Sequence, residues 1–270
     1  GIDLQLESNI NNHKLTYGVD YSLTSNEYYQ DKWTVATDGD INRYYYFTQY
    51  PIKRSPDTDT QRLGVFVQDE VVYGKNEFIY GLRYDNYKLN AHADSTYLNY
   101  CQKDDSKCPV EDLEAPSFTP RIAATHNISD QLKIYGQYSK GFRAPTWWEK
   151  EATHINRENK YQVLPNDELK SESSNNFEIG LRGDFKKYNF EIIGFYNTYN
   201  DFISEHVCGD SECGDLIEKY GEESISDTRT NKNIGGARIV GIEFTNKYKF
   251  GSNKNGFRFL ASSGYTHGQD

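Results

Sequence analysis

Apolar and polar residues alternate with period two along ten stretches: 2–8, 15–23, 62–72, 77–89, 117–126, 132–142, 176–183, 188–202, 237–250 and 256–267. In the second, Leu15, Tyr17, Val19, Tyr21 and Leu23 share one face. In the fourth, Phe78, Tyr80, Leu82 and Tyr84 oppose Gly81, Arg83 and Asp85. In the seventh, Phe177, Ile179 and Leu181 oppose Glu178 and Arg182. Side chains of a strand point alternately to its two faces, so the pattern predicts strands that are apolar on one side only.

The connections alternate as strictly as the residues do. Short turns fall at Asn11-Asn12, Tyr73-Gly74-Lys75, 127–131, 184–187 and 251–255, and long stretches at 24–61, 92–116, 143–175 and 203–233. Strands of about ten residues suit a tilted membrane crossing. Short turns at one end and long loops at the other are the habit of outer-membrane barrels, whereas soluble sandwiches use strands of about 5–6 residues. The expected fold is therefore all-β: a transmembrane antiparallel β-barrel, with residues 1–270 forming part of one barrel domain, the short turns periplasmic and the long loops extracellular. Lipid cannot satisfy a bare strand edge, so ten strands either close alone or belong to a larger barrel. The pattern runs from Ile2 to His267, starting and stopping inside a sheet as a fragment would, with no signal peptide at Gly1. Arg83, Asp85, Lys133, Gln137, Glu178, Arg182 and Glu191 are expected in a wet lumen. Tyr17, Tyr84, Tyr138, Phe142 and Tyr188 are candidates for interfacial girdles or for plain sheet packing.

Composition narrows the class further. The chain has 270 residues, a net charge of −10, 36% hydrophobic residues, 23 Tyr, 14 Phe and no Met. No run of 18 apolar residues exists, which excludes a helical membrane protein. The wealth of aromatics excludes a disordered acidic chain, and the lack of a basic stripe argues against nucleic acid. Cys101/Cys108 and Cys208/Cys213 form two close pairs in polar segments. They read as two local disulfides and an oxidising compartment, against a four-cysteine zinc site of unusual spacing. Acidic clusters at Asp104-Asp105, Glu205/Asp210/Glu212 and Glu222-Glu223, with His206 nearby, offer a divalent-cation site or ordinary solvated charge. No GxSxG, HExxH, P-loop or dinucleotide-binding fingerprint occurs, so neither an enzyme nor a catalytic cofactor is expected. A ten-stranded outer-membrane protease would need paired Asp and Asp/His groups at the barrel top, and no such set is evident.

One long stretch, 142–172, carries binding chemistry: two indoles, Trp147 and Trp148, and an imidazole, His154. Before it stands Tyr138-Ser-Lys-Gly-Phe-Arg-Ala-Pro-Thr146, and within it Leu164-Pro-Asn-Asp-Glu-Leu-Lys-Ser-Glu172. With 64–69, 80–85, 177–181 and 233–243, these blocks resemble the TonB-dependent outer-membrane receptors, in that family's order. Phe142, Arg143, Ala144 and Pro145 match its first box. Pro165, Asn166 and Leu169 match its second, which is altered here by an insertion, and Trp147-Trp148-Glu149 stands where a tyrosine is usual.

The resemblance implies a bacterial outer-membrane receptor with an N-terminal TonB box and plug outside this sequence, and a 22-stranded barrel of which these are about ten strands. It also implies partners: the TonB complex through that N-terminal part, membrane lipid, and an iron source at the extracellular loops. Receptors for haem and haemoglobin carry a histidine between the two boxes, so His154 is implied as an axial haem ligand or relay. Haem, free or from a host protein, is then the transported ligand, with Trp147 and Trp148 stacking on porphyrin or anchoring a protein. A siderophore, zinc or a transferrin-like protein is the alternative cargo. The plainer reading is a surface histidine and tryptophans that pack the loop onto the rim.

Overall fold

The computed structural model describes residues 1–35, 39, 41–42, 44–45, 48–101, 108, 110–151, 153–156, 158–209, 212–251 and 255–269. In chain order its elements are β1 (Ile2–Ile10), β2 (His13–Asn26), the two-residue strands β3 (Thr34–Val35), β4 (Ile41–Asn42), β5 (Tyr44–Tyr45) and β6 (Thr48–Gln49), β7 (Asp57–Tyr73) and β8 (Asn76–His92). Then come α1 (Ser95–Cys101), β9 (Leu113–Asn127), β10 (Leu132–Arg143), α2 (Trp147–Glu151), β11 (His154–Asn156), β12 (Tyr161–Leu164), β13 (Glu172–Asp184), β14 (Tyr188–Val207), α3 (Gly214–Tyr220), β15 (Asp227–Gly251) and β16 (Gly256–Gln269). No described helix is long and apolar enough to cross a membrane.

The ten long strands are the ten expected from the alternation. They form one antiparallel meander, β1-β2-β7-β8-β9-β10-β13-β14-β15-β16, each hydrogen-bonded to the next. Register keeps the faces apart. Val67 lies opposite Leu82, and Tyr138 opposite Phe177, itself opposite Tyr196. Val65, Leu82, Phe118, Ile122, Ile179 and Ile242 on this face are all exposed. Each is about half exposed, so leaving it in water would cost about 1 kcal/mol, a cost that hydrocarbon removes. The opposite face is polar. Arg83 spans three strands, with paired bonds of 2.8 and 2.9 Å both to Asp20 on β2 and to Asp85 on its own β8. Gln137 faces Glu178 in register, Tyr135 donates to Glu191 at 3.3 Å, and Arg182 pairs with Glu191. Gly64 lies under Arg83, whose guanidinium occupies the space a Cβ would need.

Two expectations change. At the short-turn end an aromatic band does form, but Tyr188 joins Tyr248, Phe250 and Phe257 in it at centroid spacings of 4.3–6.2 Å. Tyr84 is mid-strand against Phe118, at 4.9 Å. Phe142 packs on a cluster of Tyr87, Leu89 and Ala115 and so is a core residue, not a girdle one. The strands also run further into the long-loop end than alternation indicates: β7 begins at Asp57, β13 at Glu172 and β15 at Asp227, and β14 continues to Val207. The added residues include Thr58, Thr60, Thr228 and Thr230, all buried. One face of these extensions is buried and lined with hydroxyls while the other carries partly exposed charged residues such as Asp59, Asp227 and Arg229, so the apolar–polar signal disappears.

Candidate functional site

The stretch 142–172 is riveted to the barrel wall by the residues of its two boxes. Arg143 makes a two-pronged pair with Glu172, 2.7 Å in each arm, and a third bond of 2.7 Å to Glu149. Such a fork matches carboxylate geometry and fixes orientation as well as charge. Glu149 closes a capping box: its carboxylate accepts from the Thr146 backbone N–H at 2.8 Å, and its own N–H donates to the Thr146 hydroxyl at 3.2 Å. That sets the start of α2. Pro145, Pro165, Leu164 and Leu169 are buried, and Ala144 packs on the Tyr87–Leu89 cluster. Asn166 donates to the Asn231 carbonyl on β15 at 2.8 Å, and Asn231 donates to the Glu149 carbonyl at 3.0 Å. Asn233 exchanges two 2.8 Å bonds with the Lys170 backbone. The box residues therefore hold the loop in place.

Between the boxes the chain makes a small hairpin, β11-β12, with His154 opposite Val163. β12 lies parallel to the start of β15, with Tyr161 beside Asp227 and Leu164 beside Thr230. Gln162, fully buried, locks this pairing through Thr228 at 2.8 Å and the Glu222 backbone at 2.9 and 3.1 Å. The hairpin turn carries its own signal. Asn159 N–H donates to the Asn156 side chain, and Lys160 has φ of 51°.

His154 is where the long stretches meet. It is half-buried, with Nδ1 3.4 Å from the Tyr100 hydroxyl of α1 and Nε2 3.2 Å from the Tyr161 hydroxyl. The Tyr161 ring stands edge-on at 5.4 Å. The next residue back, Thr153, donates its N–H to the Arg54 carbonyl of the first long stretch at 2.8 Å. Arg229, in the fourth, lies over the Tyr161 ring at 6.0 Å. Burial, reinforced by the positive charge of Arg54, pushes the His154 pKa down to about 4. The imidazole is thus neutral near pH 7, the form that binds a metal through a lone pair. The stretches are tied to each other elsewhere too: buried Lys53 bonds Asp57 and reaches Asp94 at 2.8 Å.

The tryptophans divide their tasks. Trp147 packs on the Tyr87–Leu89 cluster, while Trp148 is exposed and meets Trp147 at 5.4 Å and Tyr28 at 5.8 Å, both edge-on. At the end of α2, Lys150 and Glu151 are both buried, 3.3 Å apart without a well-formed hydrogen bond. Burial pushes the Glu151 carboxyl up to about 7, only partly offset by the charge of Lys150. Cys208 and Cys213 form a disulfide with Cα atoms 5.7 Å apart, and Cys108 is also disulfide-bonded. The side chain of Cys101 lies outside the described residues, as do Asp104, Asp105 and Asp210 of the acidic clusters. Among the described residues no group of three His, Cys, Asp or Glu is placed to hold a metal; His206 pairs with Glu212 at 2.7 Å.

A family model for the TonB-dependent receptor-like β-barrel matches residues 1–270. Among curated relatives, the hemoglobin-haptoglobin utilization protein B of Neisseria meningitidis serogroup A / serotype 4A is 29% identical over 178 residues, 64% of this chain. The matched part is 22% of that protein, so the chain spans about a fifth of it. The probable hemoglobin and hemoglobin-haptoglobin-binding protein 3 of Haemophilus influenzae is 25% identical over 190 residues, 66% of this chain and 16% of that one. Among solved structures, the copper transporter OprC superposes with a TM-score of 0.67 at 17% identity, over 99% of this chain and 36% of that one. The Serratia marcescens hemophore receptor HasR, solved with its hemophore HasA and heme, gives 0.65 at 17% identity over 99% and 41%. These structures share the barrel fold. The chain belongs to the TonB-dependent receptor-like β-barrel family of the bacterial outer membrane.

Proposed function

We propose that the parent protein is a receptor that captures haem iron at its long-loop end, taking it from haemoglobin or a similar host protein, and transports it inward. In this reading residues 1–270 are one arc of the barrel domain, the long loops face outside, and the TonB complex supplies energy through parts of the protein beyond this chain. The observation that carries the reading is His154: a neutral imidazole, half-buried between two tyrosine hydroxyls, at the junction of all four long stretches. Neutral imidazole is a good ligand for haem iron. Exposed Trp148 beside Tyr28 suits contact with a porphyrin face or a protein, since tryptophan is enriched at binding hot spots. The Neisseria and Haemophilus relatives, named for haemoglobin and haptoglobin binding, support the same cargo. A siderophore arrives with its iron already ligated and makes no use of a masked imidazole, and zinc would need further ligands beside it, of which no group of three is placed among the described residues. Haem is the cargo; the receptor is no enzyme and needs no catalytic cofactor.

The test is growth. Iron-starved cells whose haem uptake depends on the full-length receptor should grow on haemoglobin. His154→Ala should slow that growth several-fold and leave growth on a ferric siderophore through another receptor unchanged. Equal growth of the two strains on haemoglobin would contradict the role of His154.

A further inference from the structure

The two hydroxyls at His154 are not equivalent. Tyr100 comes from α1, in a different long stretch, and its oxygen lies 3.4 Å from Nδ1. Tyr161 comes from the same hairpin as His154, and its oxygen lies 3.2 Å from Nε2, the outer nitrogen of the ring. A neutral imidazole carries one N–H and one lone pair, and a ligating histidine normally donates its second N–H to a fixed acceptor. In the tautomer with the proton on Nδ1, Tyr100 accepts from that N–H and the lone pair lies on Nε2. Tyr161 then donates its hydroxyl to that lone pair and covers it. The backbone of Tyr161 is fixed, because β12 is paired to β15 and locked by Gln162. Among the described residues its side chain is held over Nε2 by one hydrogen bond, an edge-on ring contact with His154 and Arg229 at 6.0 Å from the ring, and rotation of that side chain uncovers the nitrogen.

We propose that Tyr161 is a gate on the iron-binding nitrogen of His154 and that Tyr100 is the residue that sets its tautomer. The proposal rests on the reading of His154 as the haem-iron ligand. In the binding step one hydrogen bond, Tyr161 O–H to Nε2, breaks. One coordination bond, from the Nε2 lone pair to iron, forms as the labile axial water on the iron leaves. No proton leaves the site and no electron is transferred. The gate selects iron with an exchangeable axial position, as in ferric porphyrin. A ferric siderophore, whose six positions are filled by its own oxygens, has none to offer and leaves the gate shut.

The experiment is stopped-flow mixing of ferric haem with the purified full-length receptor and three variants, followed in the Soret region. Tyr161→Phe keeps the ring and its packing and removes only the cap. It should raise the association rate about five-fold, the value of one ordinary hydrogen bond, and leave the final spectrum unchanged. Tyr100→Phe should lower affinity about ten-fold, as loss of a partner to a ligating histidine does. His154→Ala should abolish the histidine-ligated band. If His154→Ala loses the band while Tyr161→Phe binds at the wild-type rate, the gate is wrong and the ligand assignment stands. If Tyr161→Phe loses the band, Tyr161 is itself a ligand and the gate is wrong. If His154→Ala binds with wild-type spectrum and affinity, the underlying assignment fails. Heat-modifiable migration of each variant checks that the barrel has folded.

Discussion

At the scale of single residues, Arg143 and His154 show how position in the loop separates structure from chemistry. Arg143 neutralises Glu172 and Glu149 together, and Glu172 also accepts the Ile203 N–H at 2.7 Å. Arg143→Ala removes three charge-assisted bonds and leaves a nearly buried carboxylate unpaired. It should loosen the 143–172 stretch by about 2 kcal/mol, discounted for the partial exposure of the guanidinium. Hydrogen exchange would show this as faster exchange in that stretch with the barrel strands unchanged. His154 has the opposite character. Its folded pKa of about 4 lies below the ordinary value of 6.5, so the site stays neutral while a free histidine would already be charged. The unfolded form binds more protons between these values, so the His154 contribution to loop docking is full above about pH 6.5 and is lost as pH falls toward 4. Haem binding through His154 should accordingly persist with a midpoint near pH 4. A midpoint near 6.5 in a pH titration of affinity would mean that the imidazole is exposed. His154 and the two tryptophans were visible in the sequence as unusual residues. Tyr100, Arg54 and Arg229 were not, because their contacts to this site cross long separations that no local pattern records, and Tyr161, seven residues away, belongs to a hairpin too short to show a period.

At the scale of elements, the ten alternating strands were legible because one face meets lipid and the other water, which is the condition that produces period two. Where that condition fails, the period disappears. The strand extensions around Thr58, Thr60, Thr228 and Thr230 are buried on one face, which carries hydroxyls in place of an apolar row. The β11-β12 hairpin has too few residues for periodicity, although Asn156 and Asn159 around its turn gave a usable sign. Its attachment to β15 depends on one side chain more than on any other. Gln162→Ala leaves Thr228 and the Glu222 backbone without their buried partner, at a cost of about 2 kcal/mol. The expected outcome is faster hydrogen exchange across 154–164, with haem affinity lowered because His154 is no longer held. Unchanged exchange there would contradict the locking role of Gln162.

At the scale of the whole molecule, charge and fold agree. The four long stretches hold 26 Asp and Glu against 14 Lys and Arg, while the rest of the chain holds 14 against 16. The net negative charge therefore lies entirely at the long-loop end, and the wall that meets lipid is nearly balanced, with its ions paired on the polar face. The loops are cross-tied through Lys53–Asp94 and Asn166–Asn231, with His154 half-buried among them. The proposed role of His154 as haem ligand is tested by a ferric haem titration of the purified full-length receptor beside its His154→Ala variant, read by the Soret band and the visible bands of histidine ligation. Saturable binding with a histidine-ligated spectrum is expected in the wild type, and loss of that spectrum with at least ten-fold weaker binding in the variant, about 1.4 kcal/mol or more. An identical spectrum and affinity in the two proteins would overturn that role.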